Sequence, residues 1–487
     1  MGDTPDAVVV GAGPNGLAAA IELARAGRSV LVLERAADVG GGTRTAELTL
    51  PGFRHDVCSA VHPLAAASPF LRGLPLERFG LELIEPEVPA AHPLDDGSAA
   101  VLHRSLTDTS AGLGRDGDAY SALLEPFVSD WERLAEVLLG PPLAPAHPLL
   151  AARFAARGAA PAAAFARLRF REEAARALFA GMAAHSIRPL GAPATSAFAL
   201  LLMTLGHSVG WPFARGGSQA IAHALRGYLE SLGGIVETGH AVASLEELPA
   251  AKAILFDTSP AQLAAICGDA LPARYRSRLD HFRPGPGVFK VDYALAEPSP
   301  WRAEECRQAG TIHLGGTLAE IAASERAVAA GRHPERPYVL VAQPSIADPT
   351  RVPDGRHTLW AYCHVPNGST VDMTAAIEAQ LERFAPGFRD VIVAQATRKT
   401  KQLELENPNY AGGDISGGAA SLRQLIARPV ASRCPYATPN PRLFLCSAST
   451  SPGAGVHGMC GYNAARAALA RGPWTVRTRP GRRRPVL

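Results

Sequence analysis

The sequence predicts an α/β protein built on a discontinuous Rossmann-type dinucleotide-binding domain. Three observations carry that prediction. A strand–glycine–helix–strand unit spans residues 6–34. A helix introduced by two glycines, with short strands after it, spans 216–257. A buried strand running into a glycine-rich loop and a small-residue helix spans 442–465. Strands alternating with helices, punctuated by glycine, are the pattern of a parallel sheet covered by helices.

The first unit is Asp6-Ala-Val-Val-Val-Gly11-Ala-Gly13-Pro14-Asn15-Gly16, then a helix expected over Leu17 to Ala26 and a strand over Ser29 to Leu33. Gly11 permits the tight turn, Gly13 lets a pyrophosphate approach the backbone, and Gly16 lets helix and strand pack closely. The helix N-terminus offers free N–H groups and the positive end of its dipole. Glu34 closes the second strand, 18 residues beyond Gly16, followed by Arg35. A carboxylate there accepts hydrogen bonds from ribose hydroxyls and disfavours a 2′-phosphate. The motif follows a strand, opens a helix and ends in an acid, the context that separates a nucleotide site from a packing turn.

A second cluster, Gly40-Gly41-Gly42-Thr43-Arg44-Thr45, follows Glu34. It resembles the extended fingerprint of FAD enzymes of the glutathione-reductase type, second subfamily, which includes amine oxidases, carotenoid desaturases and protoporphyrinogen oxidase. The resemblance implies FAD, with the extra glycines and Arg44 serving its pyrophosphate. In the second unit, Gly216-Gly217-Ser218-Gln219 precedes a helix expected over Ala220 to Leu232. Short strands are expected at Ile235 to Thr238 and Ala241-Val242, and another at Ala253 to Asp257. In relatives such a segment closes the adenosine side of FAD, which implies backbone contact to adenine at Val242. The third unit, Arg442 to Cys446 and then Ser449 to Ala465, includes Gly455, Val456 and His457. Its helix start can stabilise negative charge on a reduced flavin.

These motifs, with Asn407-Pro408-Asn409-Tyr410 and Gly412-Gly413-Asp414, recur in order over nearly the whole chain. Together they resemble phytoene-desaturase-like FAD-dependent oxidoreductases. The resemblance divides the chain into a FAD-binding domain (1–68, 212–260 and 436–475), an α+β substrate domain with a mixed sheet and helical cap (69–211 and 261–435), and a basic tail (476–487). The 69–211 insert, rich in Ala, Leu and Arg, is expected to be mainly helical. The later insert carries expected strands at Val288 to Leu295, Tyr338 to Gln343 and His357 to His364, and a helix near Ala375 to Phe384.

Composition narrows the function. Apolar residues make up 47% of the 487 and charged residues 19%, with a net charge of +3, the profile of a globular enzyme. Four of the 48 basic residues are lysines, and the arginines are scattered, so nucleic-acid binding is not expected. Seven dispersed cysteines without a C-x-x-C pair indicate neither a zinc site nor a dithiol motif, and fit a reducing cytoplasm. No metal is expected. The first residues carry no signal-peptide pattern, and the longest apolar run, Ala197 to Leu205, is too short to span a bilayer. The Arg-rich tail is either a solvated terminus or a weak anchor to anionic lipid.

The candidate catalytic residues are Lys290, His457 and His62. Lys290 lies on an apolar strand with Asp292 two residues on, facing the same side. Resemblance to amine oxidases implies a lysine holding water against flavin N5; an ion pair with Asp292 is the structural alternative. His457 lies in the flavin loop and is expected to touch the flavin. Either histidine is open to an acid–base role, a flavin contact or covalent attachment of the flavin, and for His62 the default is a hydrogen-bonded loop residue. His185 and His207 lie in the cap, where core or capping roles are the default, and Tyr362, His364 and Tyr410 are weaker substrate-side candidates. Met459 stands where amine oxidases place one of two aromatic residues flanking the amine.

The expected activity is therefore that of a non-covalent FAD oxidoreductase, a desaturase, dehydrogenase or oxidase. It takes a hydride from an apolar organic or natural-product substrate to flavin N5 and is reoxidised by O2 or a quinone-type acceptor. An amine or amino-acid oxidase forming imine and peroxide, a redox-neutral flavin isomerase, and a non-catalytic FAD-binding protein remain as alternatives.

Overall fold

The computed structural model describes residues 4–140, 146–472 and 474. A five-stranded parallel sheet is drawn from all three glycine-bearing units. Its order is Leu443–Leu445, Ala253–Phe256, Ala7–Val10, Val30–Leu33, Ile235–Glu237. The Ala7–Val10 strand sits at the centre and is buried on both faces, which explains its unbroken apolar run. Its C-terminal end releases Gly11 into the turn at a switch point of the sheet, where open α/β sheets place ligands.

The Pro14–Arg25 helix begins three residues earlier than the sequence pattern indicates, because Pro14 occupies its first turn, where a missing N–H costs nothing. The Met459–Arg471 helix lies against it very closely. A Cβ on Gly461 would fall 1.8 Å from the carbonyl oxygen of Asn15, so only glycine fits there.

The second sheet has seven strands in the order Ile392–Arg398, Gly287–Leu295, His357–Val365, Val339–Ala342, Ala309–Leu314, Val88–Pro93, Ala99–Leu102. All neighbours are antiparallel except Ala309–Leu314 with Val88–Pro93. The two faces differ in chemistry. Phe289, Val291, Tyr293, Val341 and Cys363 pack on one side with Ile377 and Leu381 of the Thr374–Phe384 helix. The opposite side carries Lys290, Asp292, Trp360, Tyr362 and Leu340, and meets the cap helices Glu173–Ala184 and Thr195–Ser208.

Two expectations are corrected. The 69–211 insert is helical over most of its length but also contributes the Val88–Pro93 and Ala99–Leu102 strands. Both are short and rich in alanine, which hides them in the sequence. No strand forms at Ala241-Val242. After Glu237 the chain leaves the sheet edge, and the N–H groups of Gly239 and His240 donate to the carbonyls of Ala36 and Glu34, both at 2.8 Å. Among the described residues no helix is long and apolar enough to cross a membrane. The basic tail, 476–487, lies outside the described residues.

Candidate functional site

Two cavities abut at the glycine turn, sharing Gly13, Gly41, Asp257, Asn407 and Asn409. The smaller, about 130 Å³, is bounded by Gly11, Glu34, Arg35, Arg44 and Val242. Glu34 organises its floor: one carboxylate oxygen accepts from the N–H of Ala12 at 2.7 Å and the other from Ala36 at 2.8 Å. Arg35 donates to the carbonyls of Leu405 and Glu406, and Arg44 to that of Gly41 at 3.1 Å. Asn409 locks the opposite wall, accepting from Ser259 N–H at 2.7 Å and donating to the Asp257 carbonyl at 3.0 Å.

The larger cavity, about 310 Å³, runs from Pro14, Asn15, Gly42 and Thr43 past Gly455 and Val456 to the second sheet and the cap. Glycine is required by close approach at Gly42, where a Cβ would fall 2.4 Å from the Tyr410 hydroxyl. Gly11 (φ +100°) and Gly41 (φ +54°) hold backbone that other residues resist. Asn15 is buried with its Oδ1 unpartnered, beside the helix N-terminus. A helix start without a side-chain cap, a buried amide aimed there and a glycine cradle fit the pyrophosphate of a dinucleotide. Gly16 lines neither cavity; its Cβ would fall 2.0 Å from the carbonyl of Gly11, so its role is packing.

Asp257, at the end of the Ala253–Phe256 strand, borders both cavities, and Gly16 N–H donates to its Oδ2 at 2.9 Å. Burial pushes its carboxyl from the usual 3.8 up to about 7; the Gly16 N–H opposes this and the Glu34 charge adds to it. The folded protein thus holds a proton that the unfolded chain releases above about pH 4. Stability from this group falls as pH rises from about 4 to about 7, and the loss is complete above that window. Asp257→Asn keeps an acceptor for Gly16 without the charge. It should be more stable than the parent at pH 8 by up to roughly 4 kcal/mol, with the gap closing toward pH 4. Thermal unfolding across that range checks this; a variant weaker than the parent at pH 8 would refute it.

The candidate catalytic residues separate. Lys290 is buried and donates to Asp292, with its ammonium 5.4 Å from the centre of the Trp360 ring. Asp292 also accepts from Arg398 at 3.0 Å, and Arg398 pairs with Glu406. Lys290 does not line the larger cavity, though Tyr362, paired opposite it across the sheet, does. Burial draws the Lys290 pKa down and Asp292 draws it up. The ion-pair alternative therefore describes its contacts.

His457 is engaged by its own loop. Its Nδ1 accepts from Met459 N–H at 3.0 Å, its Nε2 donates to the Gly453 carbonyl at 3.2 Å, and its ring lies outside both cavities. The imidazole braces the loop at the start of the last helix, and burial lowers its pKa to about 4. His62 does line the larger cavity. Ser218 Oγ donates to the Ser59 carbonyl at 2.6 Å, so it accepts from His62 Nε2–H at 2.8 Å. Nδ1 is left as a buried, unpartnered acceptor, and burial holds the ring neutral, with its pKa lowered to about 4.

Of the remaining candidates, Tyr362, Tyr410 and His185 line the larger cavity. His364 pairs with Glu325 at 2.9 Å, and His207 accepts or donates to the Tyr120 hydroxyl at 2.8 Å, both in the core. Met459 is buried in the packing around the first helix. Sequence reasoning treated Asp257 only as a strand end. Its position after an apolar strand, beside the phosphate turn, was the available signal. It also missed Arg351, which joins Asp56 and Asp348 across 295 and 3 residues of chain.

The N-terminal residues 9–72 match the family of NAD(P)-binding Rossmann-like domains. The chain is 27% identical to mouse pyridine nucleotide-disulfide oxidoreductase domain-containing protein 2, covering 94% of this chain and 92% of that protein. It is 29% identical to a phytoene dehydrogenase of Streptomyces griseus, covering 82% and 79%. Among solved structures it resembles wild-type putrescine oxidase bound to putrescine, with a TM-score of 0.62 at 19% identity over 96% of this chain and 99% of that one.

Proposed function

We propose that this FAD-type oxidoreductase, related to phytoene dehydrogenase and amine oxidases, removes a hydride from a predominantly apolar organic substrate. In this reading FAD lies without covalent attachment across the two cavities, and its electrons pass to O2 or a quinone-type acceptor. Bound flavin supplies the two-electron acceptor. The chain supplies the rest. Gly13, Asn15 and the first helix receive the pyrophosphate, and Glu34 the ribose. Gly42, Thr43, Gly455 and Val456 flank the ring system. Both nitrogens of His457 are engaged by backbone, which supports the non-covalent reading.

The observation that carries the substrate class is the charge of the larger cavity. Among the described residues, Asp257, at the glycine turn, is its only lining side chain with a carboxylate, ammonium or guanidinium group; the far end is formed by Leu64, Ile187, Leu202, Trp211, Leu340 and Trp360. A dication such as putrescine would enter that wall without a carboxylate partner, which is costly.

Purified protein is expected to show flavin absorbance. Anaerobic addition of apolar alcohols or alkenes should bleach it, and putrescine should not. Rapid recovery with peroxide in air would identify an oxidase; slow recovery would point to another acceptor. Bleaching by putrescine alone would overturn the apolar-substrate reading, and interconversion of substrate isomers with no net bleaching would favour an isomerase. A colourless protein that cannot be reconstituted with FAD would remove the premise.

A further inference from the structure

The apolar end of the larger cavity contains one histidine whose far side is fixed by another. His185 follows the Glu173–Ala184 helix, and its backbone N–H closes that helix on the Met182 carbonyl. Its Nε2 lies 2.9 Å from Nε2 of His313, with the rings 5.0 Å apart and near-perpendicular. His313 is fully buried on the Ala309–Leu314 strand. It reaches His185 because residue 181 is glycine: a Cβ there would fall 2.8 Å from His313 Nδ1.

Two ring nitrogens facing each other at that distance hold one proton between them. Burial holds the His185 ring uncharged, lowering its pKa to about 3. His185 Nδ1 has no hydrogen-bond partner among the described residues, and the ring lines the cavity. Trp211, on the same wall, has its N–H engaged by Thr311 Oγ1 at 2.9 Å. Polar atoms in such places are normally hydrogen-bonded.

We infer that His185, held by His313, is the recognition point for a single un-ionised polar group on the substrate. The substrate class is then a largely apolar molecule bearing one hydroxyl or neutral amino group, neither a bare hydrocarbon nor a charged species. This rests on the larger cavity being the substrate site, as proposed above. His313 is a positioning residue: its ring nitrogen orients the His185 ring.

The test uses the flavin-loaded protein and three probes on one carbon skeleton: limonene, perillyl alcohol and perillate. Binding is followed by perturbation of flavin absorbance. The alcohol should bind about 10-fold more tightly than the hydrocarbon, and the carboxylate more weakly than either. His185→Leu should lower alcohol affinity to that of limonene and leave limonene within about two-fold. His185→Gln, which restores a hydrogen-bonding side chain, should recover part of the preference. Tyr362→Phe should retain most of it. Equal binding of alcohol and hydrocarbon by the parent protein would overturn the inference. So would an unchanged preference in His185→Leu, loss of preference in Tyr362→Phe alone, or failure of a flavin-loaded protein to bind either neutral probe. If no flavin is held, the functional reading fails by itself. The same titrations, read from tryptophan emission of Trp211 and Trp360, then still decide the role of His185.

Discussion

Gly13→Val should strip the protein of its nucleotide while leaving it folded. Gly13 is the residue before the first helix, in extended backbone, and borders both cavities. An added Cβ would lie 2.6 Å from Asp257 Oδ2, a side-chain atom that can rotate away, so the fold should survive. The branched side chain would nevertheless stand over the helix start where the pyrophosphate must approach. Loss of that approach removes several charge-assisted hydrogen bonds at once. FAD affinity should fall at least roughly 100-fold, on the order of 3 kcal/mol. Flavin content after purification, equilibrium titration with FAD and far-UV circular dichroism measure the three quantities. Gly13→Val that retains FAD with parental affinity would place the nucleotide elsewhere.

Arg351→Leu should be the most damaging single change to stability. Arg351 is fully buried and donates to Asp56 at 2.8 Å, Asp348 at 3.0 Å and the Ala214 carbonyl at 3.0 Å. Those carboxylates in turn hold the second glycine unit. Asp348 accepts from Gly216 N–H at 2.6 Å and Asp56 from Ser218 N–H at 2.7 Å. Removing the guanidinium leaves two buried carboxylates uncompensated, a loss of about 3–5 kcal/mol and roughly 3–5 °C in apparent melting temperature. The sign with pH follows from Asp56. Burial pushes its pKa up, but Arg351 and the backbone bring the net value below the usual 3.8. Its contribution is therefore present above that value and lost as pH falls through the lowered one. The difference between parent and variant should be largest near neutrality and shrink in acid. A variant within 1 °C of the parent at pH 7 would show that the network does not hold this region. Ser218 also orients His62, so flavin content should fall in parallel.

Much of the fold was legible because it depends on short-range rules. Glycine at residue 11 follows from the tight turn it must make, and the apolar run at residues 7–10 from a strand covered on both faces, whereas the helix start at Pro14 was placed three residues late. Segments with strong periodicity, such as Gly287–Leu295 and Thr374–Phe384, fall within a residue or two of their expected bounds. Ala241-Val242 failed as a strand because local composition cannot tell an edge that continues from one that turns aside to satisfy two carbonyls. His457 illustrates the same limit within a motif. Its place in the glycine loop was readable, but the direction of its ring depends on the Gly453 carbonyl and the Met459 N–H.

The sequence by itself determined the Rossmann-type turn, the acid at its far strand and the three separated glycine-bearing units, since each follows from dihedral freedom and periodicity within a short window. Only the tertiary structure decided which polar side chains face the cavity. Lys290 could be placed on a strand face from its spacing, yet its pairing with Asp292 and Arg398 required the Ile392–Arg398 strand to arrive beside it. His185 and His313 are separated by 128 residues, and Asp257 and Gly16 by 241. Such pairs form because the burial of apolar faces brings distant segments together, and no local pattern encodes which polar atoms then meet.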